Sequence, residues 1–426
     1  MYRISGGAIR LGKMSATLPA LRRELDIMPS PLEDRPGLLM RDPFQYTEQT
    51  IIVPPLLARA LRFFDGRHTE LDLKAYLAKA TGELDVSELS KHFLGALESG
   101  GFLESETYFR LKEEKRRAFA EASAKEPAHA GSAYEDEPSA LRQQLDGWGV
   151  DGADADEQTA RLVGIAAPHV SPEGGYRSYA AVYRRLRPEH AGKTFVILGT
   201  SHYGQGEKWG LTRKSYNTPL GPVETDQEFV EALAKRAGSS IEMEDYCHAS
   251  EHSIEFQTVY LQHVLGRRLP EGERLRAVPI LCGGLSESLY HGGQPEDNDD
   301  VRRFFDALGE TAAERGDQLV FVLGIDLAHI GSRYGDASPA EAEKGALAEV
   351  RHRDAERLAR VAAGDLAGYY ALVEPNHDDL RWCGHGPLYT FLASAEGFQG
   401  RVLSYEQWNI DPQSVVSFTG MEFREV

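Results

Sequence analysis

From residue 160 onward, short unbroken apolar runs alternate with longer stretches in which apolar positions recur every three or four residues. The runs are RLVGIAAP (161–168), TFVILGTS (194–201), LRAVPILCG (275–283) and QLVFVLGID (318–326). They are rich in Val, Ile and Leu and lack polar alternation, the pattern of parallel strands covered on both faces. Helical spacing between and after them predicts helices over 175–186, 227–238, 253–266, 301–316 and 338–364. This βαβα succession predicts an α/β fold with a central, mostly parallel sheet flanked by helices. RVLSYEQWNI (401–410) and SVVSFTGMEF (414–423) read as a closing pair of strands, open to antiparallel pairing.

The first third follows another pattern. In VPPLLARALRFFDG (53–66), Leu56, Leu57, Ala60, Leu61 and Phe64 recur at helical spacing, and Gly66 is placed to stop the helix. Amphipathic segments at 70–82 and 86–105 follow, the latter ending in a double glycine and a strand-like FLES. Three helices and a small wing predict a winged-helix-like α+β module. Its FFDGRHTELDLKAYL stretch resembles small winged-helix domains related to peptide-recognition modules, which implies a peptide or protein partner; a purely packing role stays open. The charged stretch 108–128 reads as a solvated helical connector. The expected domains are therefore 1–124 and 125–426.

Composition narrows the function. A chain of 426 residues exceeds what one core usually serves. A net charge of −19 argues against a sequence-independent grip on phosphate backbones, so no nucleic-acid partner is expected. The helix at 86–105 points the same way, carrying more acid than base. Cys247, Cys282 and Cys383 are far apart and form no CxxC pair, which suits a reducing cytoplasm. The N-terminal segment has no uninterrupted apolar stretch, and no run approaches the roughly 20 residues a membrane helix needs. A cytoplasmic protein without a membrane partner is expected.

Three of the predicted strands run into reactive side chains: His169, His202, and Asp326 with His329 close behind. Ligands in open α/β sheets bind beyond the carboxyl ends of the strands, so these residues can meet in one crevice. A lone histidine after a strand is more often structural, but three recurrences of one placement favour a site. Cys383 precedes a predicted helix, PLYTFLASA, in a turn that glycines on both sides of His385 permit. A thiolate near a helix N-terminus favours metal binding or nucleophilic chemistry. Cys282, within an apolar strand, reads as a small hydrophobe. At 245–257, Glu251, His252, Glu255 and Gln257 gather at a helix start, where capping and a role beside the crevice are equally good accounts.

HAGSAY (129–134), APH (167–169), ILGTSH (197–202), YNTPL (216–220), EHSIEFQ (251–257), VPILCGGLSES (278–288), GIDLAHIGSRY (324–334) and CGHGP (383–387) follow one another in order. This succession resembles the Memo family, whose bacterial members are also called component B of the AmmeMemoRadiSam system, beside a radical-SAM protein. The resemblance implies a fold like that of class III extradiol (LigB-like) dioxygenases and a metal held by two histidines and a cysteine. Those ligands fall on His169, His202 and Cys383. The family positions beside the metal fall on Asp326 and His329, with Asp326 orienting His329 as acid/base. Glu251, His252, Tyr203 and His385 are expected around them. Tyr203 stands where the family often has a second histidine, and VSPEGGY replaces the more usual AGY after His169. Iron (Fe²⁺) is the leading cofactor, with copper or zinc as alternatives, because thiolate is softer than the carboxylate of Fe(II) oxygenase triads. Two functions are carried forward: a dioxygenase-like oxidoreductase of unknown substrate, or a non-catalytic metal-binding or scaffold protein using its N-terminal domain to recognise a peptide or partner.

Overall fold

The structure, a computed structural model, describes residues 17–30, 32, 34–150, 160–204 and 206–426. The reading of the first sixteen residues therefore lies outside the described residues. The chain divides into two compact units, Met1–Ala118 and Phe119–Val426, with the division inside a helix, Glu106–Glu121.

The first unit is an antiparallel sheet of β1 (Asp26–Pro29), β2 (Leu38–Arg41) and β3 (Ile51–Val53), followed by α1 (Glu70–Thr81), α2 (Ser87–Ser99) and the start of α3 (Glu106–Glu121). Its core gathers Met40, Val53, Phe64, Leu73, Leu77, Phe93 and Leu97. Two expectations are corrected. The helix foreseen over 53–66 is only a turn, Pro55–Ala58, running into a 3₁₀ segment, Arg59–Phe63. Ile51–Val53 is taken by pairing with β2, and Pro54 and Pro55 push the residues before them out of the helical region. FLES forms no wing: Leu103 makes a single bridge to Leu21, and the sheet comes from residues ahead of the helices. α1 begins as its sequence dictates, with Thr69 and Asp72 in a capping box, and ends at Gly82 in the left-handed conformation.

The second unit is built on a twelve-stranded mixed sheet. Its centre consists of β4 (Leu162–Ala167), β5 (Thr194–Thr200), β6 (Leu275–Cys282) and β7 (Leu319–Gly324), in the spatial order β4, β7, β5, β6, all parallel. All but Arg276 in these strands are buried, which explains why their sequences do not alternate. β8 (Phe398–Asp411) and β9 (Ser414–Glu425) form the antiparallel closing pair, and β9 extends the sheet beyond β4. Helices α4 (Pro138–Gly147), α5 (Pro172–Tyr183), α6 (Gln227–Ala237), α7 (His252–Val264), α8 (Asp299–Arg315), α9 (Leu347–Ala362), α10 (Leu366–Val373) and α11 (His385–Ser394) flank it. α9 starts later than foreseen, because Glu343 and Gly345 both take positive φ ahead of it. Among the described residues, no helix is long and apolar enough to cross a membrane.

One buried ion pair seats α7, whose first turn reaches the strand ends. Lys125 and Glu255 are both buried and bonded to one another. Glu255 also accepts the backbone N–H groups of Ala128 and His129 at 2.9 and 2.8 Å and the Tyr134 hydroxyl at 2.7 Å. Burial alone would raise the Glu255 carboxyl; Lys125 and His129 outweigh it and hold it well below the usual range. A carboxyl depressed in the folded state contributes stability above its unfolded pKa, about 4.3, and loses it as pH falls toward the folded value. Glu255→Gln, which strands Lys125 in the interior, is expected to cost about 3–5 kcal/mol. Urea unfolding at pH 7 measures this, and the gap between wild type and variant should narrow below pH 4.

Candidate metal centre

The register of the sheet brings the strand-end residues together. Ala167 of β4 lies opposite Gly324 of β7, and Gly324 lies opposite Gly199 of β5. The three chains therefore leave the sheet at one level, with His169, Asp326 and His202 two or three residues beyond it. Cys383 reaches the same level from the turn before α11, where the Gly384 N–H donates to the Asp326 carbonyl at 3.0 Å. This approach demands glycine: a Cβ at 384 would lie 2.7 Å from Ile325 Cβ and 2.8 Å from the Asp326 oxygen.

Hydrogen bonds set the tautomers. His169 is 2% exposed, and its Nδ1 lies 2.9 Å from the Gly324 carbonyl, which accepts only if Nδ1 carries the proton. Nε2 is left facing Cys383 Sγ at 3.1 Å. His202 Nδ1 likewise lies 3.0 Å from the Glu251 carboxylate, and its ring centroid is 5.0 Å from that of His169. His169, His202 and Cys383 each offer one ligand atom, and these atoms all lie within 4.8 Å of one another.

A second group, His202, Glu251 and His252, has similar spacing. Glu251, however, already accepts four N–H groups: His202 N and Nδ1, His252 N and Ser253 N. A carboxylate has about four lone-pair sites, so these bonds fill it. Glu251 thus caps α7 and bonds His202 at once. His252 lies beside the cluster, its ring 5.0 Å from His202 and 5.2 Å from His169. Burial pushes it down to about 3, against the pull of Glu251.

The remaining candidates divide. Asp326 is buried; its Oδ1 accepts the His169 N–H at 3.0 Å and its Oδ2 lies 3.6 Å from His169 Nε2. Asp326 therefore braces His169, where the expectation had it orienting His329. The His329 ring is oriented instead by the carbonyls of Leu327 and Arg381, 2.9 and 3.0 Å from Nδ1. Tyr203 is half-buried, 6.1 Å from His202 ring to ring. His385 does not join the group: as the first residue of α11 it packs against α10, with Nδ1 2.9 Å from the Tyr369 hydroxyl and Tyr370 and Tyr389 around its ring. Sequence reasoning missed Tyr334, whose ring meets His329 edge-on at 5.0 Å, and Arg381, whose guanidinium donates to the His329 carbonyl at 2.7 Å. Only the position of Arg381, two residues before Cys383, could have flagged it.

Electrostatically the cluster favours a charged thiol paired with charged imidazole. Burial opposes ionisation of Cys383, but His169 and His329 outweigh it and hold the thiol well below its usual range. Burial would lower His169, yet Cys383 and Asp326 raise it to about 9. A histidine raised in the folded state contributes stability in full below its unfolded pKa, about 6.5, and loses it as pH rises through the folded value. Burial pushes the thiols of Cys247 and Cys282 up. Iodoacetamide should therefore alkylate Cys383 alone in the native, metal-free protein, and still at pH 6.5, where an ordinary thiol with a pKa of about 8.5 is almost fully protonated. Peptide mass mapping across pH 5–9 checks this; a Cys383 profile rising only above pH 8 would contradict the ion pair.

The imidazole–thiolate cluster lies just past the carboxyl ends of the parallel strands, where open α/β sheets bind their ligands. Residues 125–422 match the family model of Memo-like proteins, and the chain belongs to that family. It is 26% identical to a MEMO1 family protein of Aquifex aeolicus over 396 residues, covering 90% of this chain and 95% of that protein. It is 28% identical to MEMO1 family proteins of Methanopyrus kandleri and Thermococcus kodakarensis, each match covering 70% of this chain and 98% of the archaeal protein.

Proposed function

We propose that the protein is a metal-dependent oxidoreductase, related to dioxygenases in its mode of action, that holds ferrous iron with His169, His202 and Cys383. The observation that carries this reading is the convergence of the two histidines, each with Nδ1 committed elsewhere, on the Cys383 sulfur, with ligand atoms within 4.8 Å of one another. Two imidazoles and a thiolate suit iron and copper, and zinc fits the same donors. A bound ferrous ion supplies a Lewis acid and a one-electron redox couple. Three protein ligands leave coordination positions for a substrate.

The chain's own groups supply the rest. With Nδ1 of His329 donating to two carbonyls, its Nε2 is left to the Cys383 side, where it can hold or deliver a proton. Burial would lower His329, but the Cys383 thiolate outweighs it and raises it, which favours the protonated ring. Asp326 keeps the His169 backbone in place, and Tyr334 packs edge-on against the His329 ring.

The test is oxygen consumption by protein purified anaerobically and loaded with ferrous iron, using catechol and a tyrosine-containing peptide as probes. His329→Ala is expected to keep its iron while losing roughly 10²–10⁴-fold in rate, the usual contribution of a general acid or base. A wild-type protein that takes up no redox-active metal under loading conditions, or a variant with the wild-type rate, overturns the proposal.

A further inference from the structure

Asp354 is fully buried on α9 and takes no part in the metal cluster, yet three separate elements donate to it. Its Oδ1 accepts the Trp382 indole N–H at 2.8 Å; its Oδ2 accepts the Tyr405 hydroxyl of β8 at 2.8 Å and the Ser417 hydroxyl of β9 at 2.6 Å. Two of these donors lead to the cluster. Trp382 is the residue before Cys383. Ser417 Oγ in turn accepts the Ala328 N–H at 2.9 Å, its own N–H donates to the Ala328 carbonyl at 2.9 Å, and its carbonyl accepts Leu327 N–H at 2.8 Å. Leu327 and Ala328 are the two residues between Asp326 and His329.

One carboxylate thus ties together the two loops that deliver Cys383 and the Asp326–His329 pair. The Cys383 loop needs a tie. His377, Asp378 and Arg381 all hold positive φ, at 51°, 49° and 57°. Such conformations persist only when their surroundings over-determine them. Arg357, one turn along α9, reinforces the arrangement: it bonds Asp378 at 2.6 Å, and its guanidinium lies 5.2 Å from the Trp382 ring.

We infer that Asp354 is a positioning residue, fixing through Trp382 and Ser417 the separation between the Cys383 sulfur and the Asp326–His329 loop. The three donors converge on an acceptor-only group, and an amide at 354 could not accept from all three in the same geometry. The consequence for metal affinity rests on the metal-binding reading; the placement of Cys383 does not.

The experiment compares full-length wild type, Asp354→Asn and Asp226→Asn. The last removes a buried carboxylate that caps α6 and accepts from Thr194, away from the cluster, and so matches a plain loss of stability. Cobalt(II) titration followed by the thiolate charge-transfer band reads affinity, and iodoacetamide alkylation of Cys383 without metal reads thiol placement. Asp354→Asn is expected to weaken cobalt binding roughly 10- to 100-fold, the range for residues that brace metal ligands. It should also change the Cys383 alkylation rate at pH 7 at least about threefold, with Asp226→Asn within about twofold of wild type in both. If Asp354→Asn does not fold, Trp382→Phe removes the same hydrogen bond and is held to the same criteria. Asp354→Asn, or its replacement, behaving like Asp226→Asn overturns the inference. If wild type binds no cobalt, the metal reading falls, and the alkylation arm alone decides: an altered rate upholds the positioning role and an unchanged rate refutes it.

Discussion

The structure depends on holding a thiolate 3.1 Å from an imidazole at the buried end of a sheet. Each charge alone would be costly there, since removing an ion from water costs several kcal/mol even after relaxation. Together they compensate, and the shifts of Cys383 downward and His169 upward are two views of one interaction. Everything around the pair limits its freedom. Gly324 accepts from His169 Nδ1 through its carbonyl, and Gly384 lets the Cys383 turn lie against the end of β7 with no Cβ between.

The sheet supplies the common level and the loops supply the chemistry. Parallel strands in register end together, so residues a fixed distance past β4, β7 and β5 must meet. The Cys383 loop has no such guarantee. It holds its place through backbone strain offset by polar partners, among them the buried pair of Arg357 with Asp378 and the exposed pair of Arg381 with Asp336. Glu251 performs two tasks with one carboxylate, capping α7 and fixing the His202 tautomer. The position of α7, and with it Glu251, follows from the Lys125–Glu255 pair at its first turn.

The unbroken apolar runs at β4 to β7 were legible because burial on both faces leaves no room for polar alternation. Helices with clear spacing, such as α6 and α8, were legible for a similar reason. Three-residue strands such as Trp209–Leu211 and Ile241–Met243 are too short to carry a period, and the sheet's edge was invisible for that reason. The helix foreseen at 53–66 failed because pairing with β2 and two prolines outweighed an apolar stripe. At the site, residues tied to strand ends were readable from order alone. Contacts made by folding were not: Lys125 and Glu255 are 130 positions apart, and the glycine-flanked His385 turns toward Tyr369 although its sequence setting resembles that of Cys383.

The most direct measurement is an anomalous difference map at the iron edge from crystals of the iron-loaded protein. The account predicts one peak within bonding distance of Nε2 of His169, Nε2 of His202 and Cys383 Sγ, with Glu251 still bonded to His202 Nδ1. Fully loaded crystals with no peak there, or with one ligated by Glu251 and His252 instead, would contradict it.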